Sequence, residues 1–304
     1  MNQPNIVAIG EPLAELNQIE PDGPFHLGYG GDTSNCVIAA ARAGASTGYL
    51  TRVGKDLFGD GLLALWSKEG VETSHVLRDD APTGIYFITH GPKGHEFTYV
   101  RKGSAASLLS PADIDKTYIS GARVLHVSAI SQAISRTART AVAAAIDIAK
   151  AASREICYDT NLRLKLWSLD EARRTIFETI PHATILRPSL DDARILLDLT
   201  DPDAIADTFL RMGTGRVVMT LGSEGVLAVT ASERHRIPPH AVKLVDASGA
   251  GDAFSGAFLA EFIRTGSLEA SARFANAAAA LSVTRMGTIA SYSKRAEILD
   301  LLKR

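Results

Sequence analysis

The sequence predicts an α/β fold in which a doubly wound, mostly parallel sheet is flanked by helices. Three observations support this prediction. Beyond residue 120, apolar strand-like runs alternate regularly with helix-like segments, which is typical of βαβ crossovers. The first apolar run, Ile6–Ile9, contains no polar residue, as expected for a strand covered on both faces. With 304 residues and 46% apolar composition, the chain can bury the core of one large domain, with or without a small appendage.

The N-terminal part of the chain contains three recognisable elements. Ile6–Ile9 is a core strand closed by a glycine. Apolar side chains recur at helical spacing over residues 32–43, and a glycine follows as a helix terminator. Residues 84–101 contain two β-rich runs around the turn-forming cluster Gly91-Pro92-Lys93-Gly94, which predicts a hairpin outside the main sheet.

Beyond residue 120 the alternation predicts five strands and five helices. The predicted strands are residues 123–127, 155–158, 184–186, 216–220 and 225–229. The predicted helices are residues 137–152, 169–179, 204–212, 252–264 and 268–284. Ligands of such sheets bind beyond the carboxyl ends of the strands, so we expect the functional site in the loops at those ends.

Composition excludes several classes of partner. Lys and Arg total 32 against 34 acidic residues, a net charge of -2 without long runs of one sign, so neither nucleic acid nor an anionic membrane is an expected partner. Cys36 and Cys157 lie in apolar stretches without metal-binding or redox spacing, which indicates buried thiols in a reducing compartment. None of the eight histidines has the spacing of a zinc site. Residues 1–5 carry no basic targeting segment, and we expect a cytoplasmic protein.

A phosphate-binding segment is predicted directly before the helix at 252–264. Gly249, Ala250 and Gly251 allow close approach to the free backbone amides of a helix start, where the helix dipole also favours an anion. A Walker loop is excluded because Gly-Lys-Ser/Thr does not occur in the chain. A dinucleotide fingerprint is excluded because Phe254 occupies the position of its third glycine.

Asp252 is the candidate catalytic residue. A carboxylate beside a phosphate cradle repels the phosphate, which suggests that it acts as a base on an attacking hydroxyl. The alternative is a helix cap, because Asp is common at helix starts. The residues alone leave these two interpretations open.

Two separated motifs resemble the signatures of the ribokinase-like (PfkB-type) carbohydrate kinases, and the resemblance extends over nearly the whole chain. The first is Gly30-Gly31-Asp-Thr-Ser-Asn35, and the second is Asp246-Ala-Ser-Gly-Ala-Gly-Asp252. The resemblance implies a single ribokinase-like α/β domain over residues 1–304, with a small β-strand lid built from segments near 11–30 and 72–103. It also implies in-line phosphoryl transfer from ATP, with Asp252 as general base and Gly249, Ala250 and Gly251 as the anion hole.

The family resemblance also implies binding sites for ATP, Mg²⁺ and a monovalent cation such as K⁺. The nucleotide contacts carried over are Ser189, Thr220, Gly222, Gly225, Gly249, Gly251 and Asn276. The implied metal residues are Asp192 for Mg²⁺ through water, and Asp246, Ser248, Ser282, Gly287 and Ser291 for the monovalent cation. The family usually has Asn-x-x-Glu where this chain has Ser189-Leu-Asp-Asp192, and Asp-Thr-Thr where it has Asp246-Ala-Ser. On the residues alone, the 220–225 loop is also consistent with a tight turn, the alanines around Asn276 with a close-packed helix, and the serines with solvated hydroxyls.

Within the family, several details are similar to kinases of 2-keto-3-deoxygluconate, which would give the 6-phosphate of this sugar acid. These details include Gly10-Glu-Pro-Leu, Phe97-Thr-Tyr-Val-Arg101 and Asp159-Thr-Asn-Leu-Arg163. The substrate contacts that this similarity implies are Gly30, Gly31, Asn35, Tyr86, Tyr99, Arg101, Arg163 and Asp252. Arginine suits a sugar acid because its guanidinium binds a carboxylate with paired hydrogen bonds. The alternatives are a surface ion pair of Arg163 with Asp159 or Glu171, and a strand-surface role for the two tyrosines.

Rival interpretations remain at this level. A fructokinase or a 2-keto-3-deoxygalactonate kinase would carry the same signatures, because epimers differ by one hydroxyl. A non-catalytic sugar sensor on the same fold is a rival of another class, against which the retained Asp252 argues. An NAD-dependent enzyme is disfavoured by the missing third glycine. Exposed strand edges of the lid predict a homodimer formed through it.

Overall fold

A computed structural model gives the fold of the chain and describes residues 3–18, 20–91 and 94–303. The strands β1 to β14 are, in chain order, Ile6–Ile9, Leu13–Gln18, Phe25–Gly30, Thr47–Gly54, Val71–Glu72, Val76–Asp79, Gly84–Gly91, Gly94–Val100, Val124–Ser128, Glu155–Asp159, Ile185–Arg187, Val217–Thr220, Val226–Val229 and Arg234–Ile237. The helices α1 to α12 are Asp32–Arg42, Leu57–Lys68, Lys116–Gly121, Ala129–Ala133, Arg136–Ala151, Leu169–Thr179, Leu190–Leu197, Pro202–Arg211, Ala250–Thr265, Leu268–Ser282, Thr288–Ser291 and Arg295–Leu302.

The main sheet has the strand order β14-β13-β12-β11-β10-β9-β1-β4-β5, and β6 pairs with β4 beside β5. The strands from β12 across to β4 run parallel to their neighbours. β13 and β14 continue the sheet in antiparallel orientation. The predicted mostly parallel sheet is therefore confirmed, with an antiparallel edge formed by its last two strands.

Helices cover both faces of the main sheet, as a doubly wound fold requires. Val7 of β1 belongs to a buried cluster that contains residues of α5, α6 and α8, including Phe209. The neighbouring Ile6 belongs to a second cluster, with Phe258 of α9 and Phe274 of α10. Adjacent strand residues point to opposite faces, so both faces of the sheet are buried. In the part of the chain that the structure describes, no helix is long and apolar enough to cross a membrane.

A second, smaller sheet lies apart from the main sheet and has the strand order β3-β2-β7-β8. β7 and β8 form the predicted hairpin, paired antiparallel from Ile85 opposite Val100 to Gly91 opposite Gly94. Pro92 and Lys93 of the predicted turn lie outside the described residues. β2 pairs antiparallel with β3 and parallel with β7, so the segments expected to form the lid share one sheet.

Close packing of α1 on α9 brings the two signature motifs together. A Cβ at Gly256 of α9 would lie 2.4 Å from the carbonyl oxygen of Cys36 and 2.6 Å from the amide nitrogen of Ala40. Only glycine permits this approach between the two helix backbones. The N-terminal turns of α1 and α9 are consequently neighbours.

Candidate active site

Three neighbouring parallel strands end in polar residues at one edge of the main sheet. β10 ends at Asp159, β11 at Arg187 and β12 at Thr220. The Arg187 guanidinium lies 3.5 Å from Asp159 Oδ2 and 3.3 Å from Thr220 Oγ1. It also lies 3.4 Å from the carbonyl oxygen of Gly251, so the start of α9 meets this carboxyl-terminal edge. The predicted phosphate-binding segment therefore stands where ligands of doubly wound sheets bind.

The glycine-rich segment forms the N-terminus of α9. Gly249 is the N-cap residue with φ of 71°, a left-handed conformation that glycine adopts without a Cβ clash. Gly251 is exposed, and a Cβ there would have the Arg187 Nη2 atom as its nearest neighbour, at 3.4 Å. The first amides of a helix have no partner within it, so this segment offers donors and the positive end of the dipole to an anion.

Asp252 faces the first signature motif. Asn35 Nδ2 donates a 2.8 Å hydrogen bond to Asp252 Oδ2, and the Asp252 side chain makes no capping bond to the start of α9. The helix-cap interpretation of Asp252 is therefore wrong for this structure, in which Gly249 is the N-cap. Asn35 is buried, and its Oδ1 has no hydrogen-bond partner among the described residues, so this oxygen can accept a hydrogen bond from a bound hydroxyl.

The surroundings of the Asp252 carboxyl raise its pKa, which makes the ionised form a stronger proton acceptor near neutral pH. Burial and, secondly, the negative charge of Asp32 raise the pKa of Asp252 to about 8, while the hydrogen bond from Asn35 opposes the rise. Asp159 raises it further and Arg163 lowers it. A carboxylate with a pKa near the working pH is a stronger proton acceptor than an ordinary aspartate.

A second buried carboxylate, Asp32, was not singled out by the sequence reasoning. It is the first residue of α1, and it accepts hydrogen bonds from the hydroxyl of Ser128 and, at 3.4 Å, from Asn161 Nδ2. Burial raises the pKa of Asp32, and Asp159 adds to the rise. Its place inside the first signature was the available signal. Asp32 can accept hydrogen bonds from a polyhydroxylated substrate bound beside Asn35.

Arg187 and Asp159 were also not identified from the sequence as candidate site residues. Both are buried, and the Nε atom of Arg187 has no hydrogen-bond partner among the described residues. The guanidinium stacks over the Phe254 ring at 4.9 Å from its centroid. A charged residue directly after the predicted apolar strand 184–186 was the available signal, since charges are rarely buried without a partner or a function.

Carboxylates of the first lid segment hold two of the predicted substrate contacts. The Tyr86 hydroxyl donates to Glu15, and the Arg101 guanidinium pairs with the fully buried Glu11. Arg101 also lies over the ring of Tyr99, 5.2 Å from its centroid. Burial raises the pKa of Glu11, and the positive charge of Arg101 opposes that rise. These contacts fix the orientation of the Tyr86 and Arg101 side chains on the hairpin.

Gly30 and Gly31 lead from β3 into α1 beside the same residues. A Cβ at Gly30 would lie 2.7 Å from the Tyr86 hydroxyl, and one at Gly31 would lie 2.3 Å from the carbonyl oxygen of Glu11. Gly31 also has φ of 114° as the N-cap of α1. Glycine is therefore required at position 31 for the close approach to the Glu11 backbone, and Gly30 leaves room for the Tyr86 hydroxyl within the small sheet.

The side chains of Arg163 and Asp192 both form hydrogen bonds with the backbone of Leu162. Arg163 is exposed and its Nη1 donates to the carbonyl of Leu162 at 2.9 Å, while Asp192 Oδ2 accepts from the Leu162 amide at 3.1 Å. The alternative ion pairs of Arg163 do not form, because Asp159 pairs with Arg187 and Glu171 pairs with Arg139. Burial raises the pKa of Asp192.

The residues expected to contact the nucleotide fall into two places. Ser189 and Thr220 pair through an isolated parallel bridge, and the Ser189 hydroxyl caps α7 by accepting from the Asp192 amide at 3.1 Å. The 220–225 loop is a tight connection between β12 and β13, with φ of 61° at Gly222 and 92° at Gly225. Asn276 Nδ2 donates to the carbonyl of Pro238 at 2.8 Å. Residues 220–225 thus form a tight turn and Asn276 lies in a packed helix, as the residues alone indicated. The nucleotide role of these residues stays a prediction.

Three of the residues expected around a monovalent cation, Asp246, Ser248 and Gly287, are linked directly before the start of α9. Asp246 accepts from the amides of Ser248 and Gly287, each at 2.9 Å. The hydroxyls of Ser282 and Ser291 donate to carbonyls of their own helices, which leaves oxygen lone pairs for a ligand. No cluster of three or more His, Cys, Asp or Glu side chains able to hold a metal occurs within the described ranges. The donor set is hydroxyl, carbonyl and one carboxylate, which fits a hard cation.

Comparisons with known proteins agree with this geometry. The family model described as pfkB family carbohydrate kinase matches residues 3–295. The 2-dehydro-3-deoxygluconokinase of Thermoproteus tenax is 34% identical over 98% of this chain and 94% of that protein. Fructokinase-1 of Oryza sativa subsp. japonica is 34% identical over 90% of this chain and 88% of that protein. A protein of E. coli described as ribokinase II, solved with ATP and Mg²⁺, superposes with a TM-score of 0.91 at 26% identity, covering 99% of each chain.

Proposed function

The chain belongs to the pfkB family of carbohydrate kinases, and from that premise we propose that it phosphorylates the terminal hydroxyl of 2-keto-3-deoxygluconate. The phosphoryl donor is ATP, and the product is the 6-phosphate. The single observation that carries the proposal is the hydrogen bond of 2.8 Å between Asn35 and Asp252, because it joins the first signature motif to the proposed base beside the proposed anion hole.

The proposed chemistry uses few residues. Asp252 takes the proton from the substrate hydroxyl, whose oxygen then attacks the γ-phosphorus in line with the departing ADP oxygen. The amides of Gly249 to Gly251 donate to the transferring phosphoryl group, where negative charge develops. The lid sheet, which contributes Tyr86 and Arg101, excludes water and so favours transfer to sugar over hydrolysis.

Metal ions have proposed places beside this site. Asp192 would hold Mg²⁺ through water, and Asp246 with the neighbouring hydroxyls of Ser282 and Ser291 would hold K⁺. When bound, these cations would neutralise phosphate charge during transfer. The shorter Ser189 in place of asparagine leaves Asp192 as the principal acid for this purpose.

A sugar acid is the proposed substrate because Arg101 and Arg163 are the arginines that the family similarity assigns to a substrate carboxylate. Arg163 is exposed and, among the described residues, its guanidinium bonds only to a carbonyl, so it is available to a carboxylate. Similarity to the dehydrodeoxygluconokinase over nearly the whole chain supports the same assignment. The 2-keto-3-deoxygalactonate epimer remains a variant of the same proposal.

Fructose phosphorylation is the second candidate, and a specific contact favours it. Glu11 neutralises Arg101, which lowers the positive charge available for a substrate carboxylate. The rice fructokinase is also as similar in identity as the dehydrodeoxygluconokinase, although over a smaller share of the chain.

A substrate panel tests the proposal. The purified protein with Mg²⁺ and ATP is offered both 2-keto-3-deoxy epimers, fructose and ribose, and ADP formation is measured by a coupled assay. We expect the highest kcat/KM with 2-keto-3-deoxygluconate. Turnover of fructose or ribose without the keto-deoxy acids would replace the substrate while leaving the family unchanged, and no turnover at all would favour the non-catalytic sensor.

We also propose that two chains associate through the lid sheet. Phe25 and Leu27 of β3 and Val100 of β8 are 43%, 46% and 59% exposed. Strand alternation places them on the face opposite Tyr86, where an apolar patch favours a partner. Light scattering of the wild type and of Leu27→Lys tests this: we expect a dimer that the substitution dissociates, and a monomeric wild type would contradict it.

A further inference from the structure

The N-cap of α9 receives a hydrogen bond from outside its own helix. Tyr292 is 4% exposed and directly follows α11. Its hydroxyl donates to the carbonyl oxygen of Gly249 at 3.0 Å. The same oxygen accepts the first bond of α9, from the Ala253 amide at 2.9 Å. Both lone pairs of the Gly249 carbonyl are thereby occupied.

This contact bears on the orientation of the peptide at the start of α9. The Gly249 carbonyl and the Ala250 N–H belong to one planar peptide. That N–H donates to the Ala247 carbonyl at 3.3 Å, so both ends of the peptide are held and the direction of the following Gly251 amide is set from it. Glycine has more accessible backbone conformations than any other residue and needs external contacts to stay in one. The Tyr292 hydroxyl supplies such a contact at the residue from which the proposed anion hole starts.

Tyr292 is itself anchored to the helix that carries Asn35. Arg42, the last residue of α1, donates through Nη1 to the carbonyls of Ile289 and Tyr292, at 2.6 and 2.9 Å. The rest of its guanidinium forms a bidentate pair with Glu69 at 2.7 and 2.8 Å. The α1 helix thus contacts the Asp252 carboxylate near its N-terminus and supports Tyr292 at its C-terminus.

We propose that Tyr292 is a positioning residue for phosphoryl transfer, acting through the Gly249 carbonyl on the amides at the start of α9. The inference rests on the proposed function, because it takes these amides as the anion hole. Position 292 lies outside both signature motifs, and the role follows from the 3.0 Å contact together with the burial of the ring. Because the ring is buried and the hydroxyl is bound to the Gly249 carbonyl, the expected effect is on amide orientation and not on binding of the sugar.

Tyr292→Phe removes the hydroxyl and keeps the buried ring. We expect kcat to fall roughly tenfold, since small displacements of groups that stabilise developing charge slow the chemical step. KM for ATP and for the sugar should change by less than about twofold, because the lost interaction matters mainly in the transition state. ADP with aluminium fluoride, which mimics the transferring group, should bind roughly tenfold more weakly by calorimetry, whereas ADP alone should bind as before.

Tyr118→Phe is the matched control. Tyr118 is also 4% exposed and its hydroxyl donates to Glu72 at 2.6 Å, but it packs beside Gly48, near the amino ends of the strands. We expect a similar or larger loss of melting temperature with unchanged kcat, which separates positioning from general stability.

Two outcomes overturn the inference. A Tyr292→Phe enzyme with kcat and aluminium-fluoride affinity within about twofold of the wild type would show that the contact is only structural. An equal loss of kcat in Tyr118→Phe would show the same.

Asp252→Asn, measured in parallel, distinguishes failure of the inference from failure of the proposed function. If Asp252→Asn is inactive while Tyr292→Phe is normal, the inference alone fails. If Asp252→Asn is fully active, the proposed function and the inference both fail.

Discussion

The amide of Asn35 donates a 2.8 Å hydrogen bond to the carboxylate of Asp252, although 217 positions separate the two residues. The contact exists because α1 and α9 pack closely at Gly256. Asn35 Oδ1 has no partner among the described residues, so it is available as an acceptor for a donor hydroxyl. One asparagine can therefore orient both the substrate hydroxyl and the proposed base.

Replacement of Asp252 by Asn tests the proton acceptor. Asparagine keeps the size of the side chain but cannot take a proton, so we expect kcat to fall by about 10²- to 10⁴-fold. ATP affinity should be retained or improved, because a negative charge beside the phosphates is removed. Coupled ADP detection and calorimetry measure the two effects. Turnover equal to the wild type would exclude Asp252 as the base.

The pH dependence of kcat/KM tests the environment of the same carboxyl. Asp252 acts only when ionised, and burial together with Asp32 raises its pKa to about 8. We therefore expect kcat/KM to rise with pH and to level off above about pH 8, since this ratio reports groups of the free enzyme. Asp32→Asn removes a neighbouring negative charge and should move the midpoint to lower pH. A flat profile from pH 6 to 9 would contradict the assignment.

Much of the fold could be predicted because its elements carry strong local patterns. The strand expected at residues 123–127 is β9 at Val124–Ser128, and the helix expected at 137–152 is α5 at Arg136–Ala151. β4 was missed because glycine and arginine interrupt its apolar run. Gly48 is needed because a Cβ there would lie 2.0 Å from the Tyr118 hydroxyl, and Arg52 pairs with Asp79 and Asp113. The glycine and the arginine in β4 are explained by these tertiary contacts, which a local sequence pattern does not show.

The part of the candidate site that could be predicted from the sequence consists of residues in contiguous motifs. Gly249 to Asp252 forms a helix start that elementary reasoning identifies as an anion site. Asp159 and Arg187 belong to different strands and acquire their significance only when the parallel sheet brings the strand ends together. Glu11 is similar, because its partner Arg101 comes from the separate lid sheet.

The two glycines of the proposed anion hole should respond differently to alanine. Gly249 has φ of 71°, and a Cβ would lie 2.3 Å from Thr288 Cγ2, so Gly249→Ala should lower both the melting temperature and kcat. Gly251 has room for a Cβ, so Gly251→Ala should fold normally but lose kcat where the methyl group obstructs the phosphoryl group. Thermal unfolding and steady-state kinetics distinguish them. A fully active Gly251→Ala would argue against phosphate approach at this position.

Arg163→Met tests recognition of the substrate carboxylate. The side chain is exposed, so the melting temperature should not change. KM for 2-keto-3-deoxygluconate should rise roughly 10- to 100-fold, the value of one charge-assisted contact, while KM for fructose should not. Arg273→Met is the control, because it removes an equal charge from an exposed helix surface where Arg273 pairs with Glu269. An unchanged KM for the acid would favour the fructose candidate.

Variants of the buried pair of Glu11 and Arg101 distinguish a structural role of Arg101 from a role in substrate binding. Arg101→Met leaves the fully buried Glu11 carboxylate unpaired, which costs about 3–5 kcal/mol by analogy with other buried pairs. Burial already raises the pKa of Glu11, and losing Arg101 raises it further above the unfolded value. The single variant should therefore lose more stability as pH rises, because the unfolded state ionises first.

Adding Glu11→Gln to Arg101→Met removes the unpaired charge, so the double variant should recover most of the lost melting temperature at pH 8. Recovery of stability without recovery of KM for the sugar acid would mean that Arg101 contacts the carboxylate in addition to its pairing with Glu11. If KM recovers together with stability, Arg101 serves the lid alone and Arg163 is the acid-binding arginine. A melting temperature that Arg101→Met leaves unchanged at pH 8 would contradict the burial of the pair, since an isolated carboxylate cannot remain ionised there without loss of stability.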